Sequence, residues 1–352
     1  MNNKQTAVVA MSGGVDSSVS AKLLLDQGYH VIGLTLRLWG AKLNEQGVSI
    51  AEADAARIAA ILGIEHHVLD CSEDFYNTVV QSFIQEYELA RTPNPCVYCN
   101  KVIKFGMLFE HAMQLGADFL VTGHYVQKYV DPTSGLHYLQ TAADLAKDQT
   151  YVLYNIRHDK LAKCLFPLGS YNKPQVRKLA EEYALPVFNK PDSQEICFVP
   201  NDDYRSFIAE HGKAQIKHGK FVNTKGEVMG EHQGLLNYTI GQRKGFNMGF
   251  GKRVYVIKLD REKNQVVLGD DNEVFASSLQ LRDVVFVDER STQAEYKLLA
   301  KIRYNAKPAA ATVVVMGDRA EVVFEQPQRA ITPGQSVAFY EDNVLVGGGV
   351  IE

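Results

Sequence analysis

The stretch TAVVAMSGGVDSSVSAKLLLDQGYHVIGLTL, residues 6–36, decides the fold. TAVVAM is a short apolar run of buried-strand length. Residues 16–27 carry Val19, Leu23 and Leu24 at helical spacing and stop at Gly28. HVIGLTL, residues 30–36, reads as a second strand. Between the first strand and the helix lies SGGVDSS, residues 12–18. Gly13 and Gly14 admit backbone angles closed to other residues and leave room for an anion. Backbone N–H groups and the hydroxyls of Ser12, Ser17 and Ser18 are expected to face one concavity at the positive end of the helix dipole, where a phosphate fits. The location agrees, because ligands of open parallel sheets bind at the carboxyl ends of strands. Asp16 is out of place beside an anion unless it holds Mg²⁺ that bridges to phosphate oxygens. No lysine follows the glycines, so this is not the GxxxxGK loop of the common nucleotide triphosphatases.

The same alternation continues outward. Residues 51–62 are Ala-rich and helical, HHVLD (66–70) is a third strand, helical patterns cover 73–89 and 103–115, and DFLVTGH (118–124) is a fourth strand. Strands separated by helices of this length imply crossover connections and a doubly wound parallel sheet covered on both faces. After Phe198 the texture changes. One helix is expected over 202–210, followed by short strand-like runs broken by turns, and from Ala276 onward strands dominate. The expected fold class is therefore α/β, a doubly wound parallel sheet over residues 1–200. A small basic central domain (201–270) and a C-terminal antiparallel β-barrel (271–352) complete it.

The 352 residues are 46% hydrophobic and 22% charged, which excludes a disordered or fibrous chain. No apolar run approaches the ~18 residues of a membrane span, and the first residues read as neither a signal nor a transit peptide. Five cysteines without a secretory signal point to a reducing cytoplasm, where clustered thiols bind metal or do chemistry. The net charge is −4, but it is uneven. Residues 151–260 hold 17 Lys+Arg against 11 Asp+Glu, whereas residues 1–150 hold 10 against 16. A basic middle fits a polyanionic partner or an inert, uneven surface equally well.

TPNPCVYCNKVIKFG, residues 92–106, contains Cys96 and Cys99, with a helix expected just beyond them. Thiols at a helix N-terminus have lowered pKa values, and Lys101 and Lys104 would add to that effect. Cys197 lies a hundred residues on, in DSQEICFVP (192–200). Three readings stay open. A zinc site would need further ligands that no second C-x-x-C or paired histidine supplies. Cys99 and Cys197 could be a catalytic pair that passes sulfur. Cys96, Cys99 and Cys197 could instead hold an iron–sulfur cluster with one open iron. Cys71 and Cys164 match no motif and read as small buried hydrophobes.

SGGVDSS resembles the pyrophosphate-binding loop of the ATP pyrophosphatase superfamily, whose fold is like that of the adenine nucleotide alpha hydrolases. NPCVYCNKVIKFG, SQEICFVP, TGHY (122–125), AKDQTYVLY (146–154), NYTIGQRKG (237–245) and KIRYNAKP (301–308) resemble, in order and nearly end to end, segments of the tRNA-specific 2-thiouridylases. The resemblance implies ATP and Mg²⁺ at Ala10, Met11, Ser12, Gly13, Gly14, Val15, Asp16 and Ser17, with Leu36 and Gly123 near the adenosine. It implies Cys99 as nucleophile and Cys197 as persulfide carrier. It implies tRNA contact at Asn94, Pro95, Cys96, His124, Lys147, Asp148, Gln149, Arg303, Tyr304 and Gln335. The implied reaction is 2-thiolation of the wobble uridine of glutamate, lysine and glutamine tRNAs, bound by the anticodon arm. Sulfur would come from a cysteine desulfurase or a relay protein, in the cytoplasm and with no membrane partner. One departure stands out: Cys96 occupies the place of an aspartate, which strengthens the cluster reading. From the residues alone, the Gly-rich basic segment 237–253, with Tyr238, Phe246 and Phe250, suits single-stranded RNA. An ATP-dependent amide ligase would leave Cys99 and Cys197 without a task, and a non-catalytic RNA-binding module would leave the nucleotide loop unexplained.

Overall fold

The computed structural model describes residues 4–191, 196–213, 217–246, 249 and 251–352. The first unit is built on parallel strands β1 (Thr6–Ala10), β2 (His30–Arg37), β3 (Glu65–Asp70) and β4 (Phe119–Val121). Next, β5 (Val126–Val130) and β6 (His137–Thr141) form a hairpin, and β7 (Cys164–Leu165) returns to complete the sheet in the order β3-β2-β1-β4-β7. Every pairing in that sheet is parallel.

Burial on both faces explains why β1 is apolar at every position rather than alternating. Val8 faces a core with Phe105, Leu108 and Ala112 of the helical segment 95–114. Ala7 and Val9 face the opposite core, which holds Val15, Val19 and Leu23 of α1 (Val15–Asp26) and Val176 and Ala180 of the helix Lys173–Glu182. All three strand residues are fully buried. A third core, with Phe75, Val79, Phe83, Ile103, Phe198 and Phe207, joins the helical segment 72–88 to segment 95–114 and to residues 196–211. Both helical segments contain wide, π-type turns, at Tyr76–Val80 and Asn100–Leu108.

The central unit is a four-stranded sheet of β8 (Gly219–Asn223), β9 (Val228–His232), β10 (Tyr255–Asp260) and β11 (Gln265–Gly269), ordered β10-β11-β8-β9 with its own core around Phe221 and Val256. The last unit contains β12 (Phe275–Phe286), β13 (Glu295–Lys301), β14 (Ala309–Met316), β15 (Arg319–Arg329), β16 (Ser336–Glu341) and β17 (Val344–Ile351). Pairing of β12 with both β15 and β17 closes these six antiparallel strands into a barrel. Hairpin β5–β6, which the sequence reading passed over, adds to this barrel through Val344↔Gln140 and Leu345↔Leu139. It fixes the barrel to the parallel-sheet unit. Among the described residues no helix is long and apolar enough to cross a membrane.

Candidate nucleotide and thiol site

The loop after β1 is held from below. Met11 N–H donates to Leu34 O (2.9 Å), and the Thr35 hydroxyl donates to Met11 O (2.8 Å). Gly13 adopts φ +65°, and a Cβ there would lie 2.7 Å from Ala51 O and 2.8 Å from Asp54 Cβ. Both its angle and its space therefore require glycine. Ser17 Oγ accepts from Ser12 N–H (3.2 Å) and donates to Gly14 O (3.2 Å), which ties the loop to the first turn of α1. Ser18 departs from expectation. It is fully buried and donates to Gly14 O at 2.7 Å, so its hydroxyl bonds back to the first helical turn instead of facing the concavity. Val15 is core and Ala10 packs on the opposite core, so neither offers a side chain to a ligand. Leu36 packs where two cores meet. Gly123 is set by closeness, since a Cβ would lie 3.0 Å from the Asp16 backbone and from Ser17 N.

Asp16, expected to hold Mg²⁺, is paired with protein groups in this structure. Lys173 Nζ donates to both carboxylate oxygens (2.7 and 2.8 Å), and the Tyr125 hydroxyl donates to Oδ1 (2.8 Å). A second ammonium, Lys190, donates to Gly13 O (2.9 Å) and to Asp54 Oδ2 (2.7 Å). The positive charge at this loop thus comes from two lysines more than 150 residues away, one at the start of the helix Lys173–Glu182 and one beyond it. The sequence reading missed both. The only trace in the sequence is that Lys173 follows Asn172, which forms a capping box with Gln175 and so marks a helix start.

The thiol segment begins earlier than expected. Asn94 Oδ1 accepts from Cys96 N–H (3.1 Å), and Pro95 occupies the first helical position, so the helix starts at Pro95 and not beyond Cys99. Cys96 sits in the first turn and Cys99 at the change to the wide turns. Cys197 feels the charges of both Cys99 and Cys96, and Phe198 and Val199 beside it share a core with Cys99. The two distant segments therefore meet. The predicted acidity is reversed. Burial pushes Cys99 up to about 11 and Cys197 up to about 12, and it raises Cys96. Lys104 opposes the rise at all three but is outweighed. Water reaches Cys96 and Cys197, yet protein packs densely around their sulfurs.

All five cysteines are free, and Cys71 and Cys164 are buried as expected. Among the described residues no three His, Cys, Asp or Glu side chains form a group that could hold a metal ion. Cys96, Cys99 and Cys197 lie near one another but do not form such a group in this structure.

Several residues implied for RNA contact already carry structural bonds. Asp148 is buried and accepts from Ala142 N–H (3.0 Å) and the Thr150 hydroxyl (2.6 Å). Gln149 Oε1 accepts from Tyr125 N–H (2.9 Å), Gln335 Nε2 donates to Thr92 O (2.7 Å), and Arg303 donates to Arg329 O (2.6 Å). His124 is buried against Phe105, bonded to the Thr122 hydroxyl (2.8 Å), and held neutral by burial with Lys104 nearby. Lys147 is half-buried, and Tyr304 is exposed and feels the charges of Asp148 and Cys96. In the basic segment 237–253, Tyr238 and Phe246 belong to the central core and are not stacking platforms; Asn247, Met248 and Phe250 lie outside the described residues. Arg243, Lys252 and Arg253 line an open cleft of about 500 Å³.

A parallel sheet with a Ser-Gly-Gly-Val-Asp-Ser loop at its first crossover, flanked by two lysines, defines a nucleotide-binding α/β enzyme of the PP-loop class. Sequence profiles match three consecutive regions: the tRNA methyl transferase HUP domain over residues 5–201, the tRNA methyl transferase PRC-barrel domain over 205–270, and the aminomethyltransferase beta-barrel domain over 276–351. The tRNA-specific 2-thiouridylase MnmA of Carboxydothermus hydrogenoformans is 47% identical over 357 residues, covering 99% of this chain and 98% of that protein. MnmA 1 of Thermoanaerobacter pseudethanolicus is 47% identical over 361 residues, covering 100% and 99%. Among solved structures, the U34-tRNA thiolase NcsA of Methanococcus maripaludis, with its 4Fe-4S cluster, overlaps 59% of this chain and 64% of its own at 21% identity and a TM-score of 0.37, too slight a likeness to carry an argument. The chain belongs to the tRNA-specific 2-thiouridylase (MnmA) family.

Proposed function

We propose that this protein is an ATP-dependent tRNA-uridine 2-sulfurtransferase acting on the wobble uridine of glutamate, lysine and glutamine tRNAs in the cytoplasm. Membership of the 2-thiouridylase family supports the reaction. The observation that carries the mechanism is the meeting of Cys197 with Cys96 and Cys99 beside Lys104, in the unit that also holds the phosphate loop.

ATP binds with its pyrophosphate on the loop from Ser12 to Ser17. Lys173 and Lys190 exchange part of their bonding to Asp16 and Asp54 for phosphate oxygens, with Mg²⁺ as a further counter-ion on the ATP. Uridine O2 is a poor leaving group. Its attack on the α-phosphate forms an O2-adenylate and releases pyrophosphate. The terminal sulfur of a Cys197 persulfide then attacks C2, and AMP departs. The Cys99 thiolate attacks Cys197 Sγ, which leaves the sulfur on C2 as 2-thiouridine and forms a Cys99–Cys197 disulfide that a dithiol reductant must reopen. Both thiols are protonated near neutral pH in the RNA-free state, so each needs a base, or closer contact with Lys104, to react. The uridine must leave its stack to reach them, at about a few kcal/mol.

In this reading Asn94, Pro95, Cys96, His124, Lys147, Asp148, Gln149, Arg303, Tyr304 and Gln335 contact the RNA, and the buried or bonded ones among them, His124, Asp148, Gln149, Arg303 and Gln335, exchange their present contacts for it. The three units divide near residues 200 and 270, and a cysteine desulfurase or a relay protein loads Cys197. The test is Cys197→Ser assayed with radiolabelled sulfur: incorporation into tRNA stops if the persulfide is on Cys197, and undiminished incorporation removes that assignment.

A further inference from the structure

At the end of β13, opposite Ala338 of β16, Lys301 projects over two tyrosine rings. Its ammonium is 5.9 Å from the centroid of Tyr151 and 5.7 Å from that of Tyr304, within cation–π range of both. The rings are 6.2 Å apart and nearly perpendicular, and Tyr151 is fixed by donation from its hydroxyl to Ser336 O (2.8 Å). Among the described residues the ammonium has no hydrogen-bond acceptor and no ion-pair partner. Asp148 acts on it through space, its oxygens bonding Ala142 N–H and the Thr150 hydroxyl.

A lysine ammonium has three donors. Leaving them unmet at a half-buried position is unfavourable unless a ligand supplies the acceptors. Ring faces attract the charge without using its N–H bonds, so the cage holds the ammonium in place with its donors free. Neighbouring Arg303 spends a guanidinium N–H on Arg329 O. Tyr304, the outer wall of the cage, is 37% exposed and feels the charge of Cys96, so the cage reaches the surface on the side of the thiols.

We propose that Lys301 donates to a phosphate oxygen of the tRNA backbone, and so anchors the strand that presents the uridine to Cys99 and Cys197. This rests on the tRNA reading above and adds the barrel's anchoring residue to it. Phosphate oxygens are the commonest acceptors in protein–nucleic acid contacts, and a compact ammonium held at one point suits a single phosphate.

The experiment measures binding of an anticodon stem–loop RNA between 50 and 200 mM KCl for the wild-type chain, Lys301→Met and Lys301→Arg. Removing one phosphate contact makes the slope of log K against log salt shallower by about 0.7–0.9. The affinity advantage of wild type over Lys301→Met therefore shrinks about threefold across that range. Lys301→Arg keeps the wild-type slope, and ATP binding without RNA is unchanged in both variants. A wild-type slope in Lys301→Met, or a change in ATP binding, overturns the proposal. Should Lys301→Met fail to fold, stem–loops with single neutral methylphosphonate linkages are titrated against the wild-type chain. One linkage must reduce the slope by the same amount, and none doing so overturns the proposal. A wild-type chain that binds no stem–loop removes the tRNA reading itself, and this proposal with it.

Discussion

Replacing Lys173 by Met separates the two tasks assigned to that lysine. In the folded chain its ammonium donates to both oxygens of Asp16 at 2.7 and 2.8 Å. The lysine side chain is 10% exposed and the aspartate 32%, so the pair is neither a solvent pair nor a fully buried one. Exposed pairs contribute about 0–1 kcal/mol, and breaking a buried pair costs about 3–5 kcal/mol because a charge is left unpaired. Asp16 keeps its bond from the Tyr125 hydroxyl and some contact with water. A loss of about 2 kcal/mol in stability follows, or about 4–8 °C in the melting temperature of a unit of this size. Neutralising the orphaned carboxylate in Lys173→Met/Asp16→Asn should recover most of that loss. ATP affinity should not recover, because the charge meant for phosphate is still missing, and a charge-assisted contact of about 1.5–3 kcal/mol corresponds to roughly 10- to 150-fold in affinity. The assay is thermal melting of both variants with and without ATP, together with pyrophosphate release. If the double variant regains ATP affinity together with stability, Lys173 is structural and the phosphate role is refuted.

Other outcomes follow from the same geometry. Gly123→Ala places a methyl group 3.0 Å from the backbone of Asp16 and Ser17; overpacking of about 1–3 kcal/mol should weaken ATP binding while the C-terminal barrel melts unchanged. Cys99, pushed up to about 11, and Cys197, pushed up to about 12, should react with iodoacetamide more slowly at pH 8.5 than free cysteine and accelerate only as pH rises toward those values, as mass spectrometry of the alkylated peptides would show. The His124 pKa is lowered well below 6.5 by burial, so the unfolded chain binds that proton first as pH falls. Stability should be fully present above pH 6.5 and decline below it, and His124→Asn should flatten part of that decline.

The sequence was most legible where local pattern and topology coincide. SGGVDSS between an apolar run and an amphipathic helix determines both the crossover and the ligand position, and the parallel sheet forms as expected. Long-range partners were not legible. Nothing in the spacing of Lys173 and Lys190 brings them to Asp16 and to Gly13 and Asp54; only the packing of the helix Lys173–Glu182 on α1 does. Hairpin β5–β6 carried a turn signal in DPTSG, but its strands mix apolar and polar residues and pair with a barrel two hundred residues later. The thiols reversed their expected acidity because the effect of Lys104, readable locally, is smaller than burial, which depends on distant segments folding together. Tyr238 and Phe246 looked available for stacking in a Gly-rich basic segment, but the β8–β11 sheet folds over them.

Sulfur is expected to leave Cys197 for uridine C2 within one turnover. Chain loaded with radiolabelled persulfide sulfur, freed of donor and mixed with ATP and unmodified tRNA, tests it most directly. Label should leave the Cys197 peptide and appear in matching amount in 2-thiouridine, and neither should happen without ATP. Labelled 2-thiouridine from a Cys197→Ser chain, or transfer that proceeds without ATP, would contradict it.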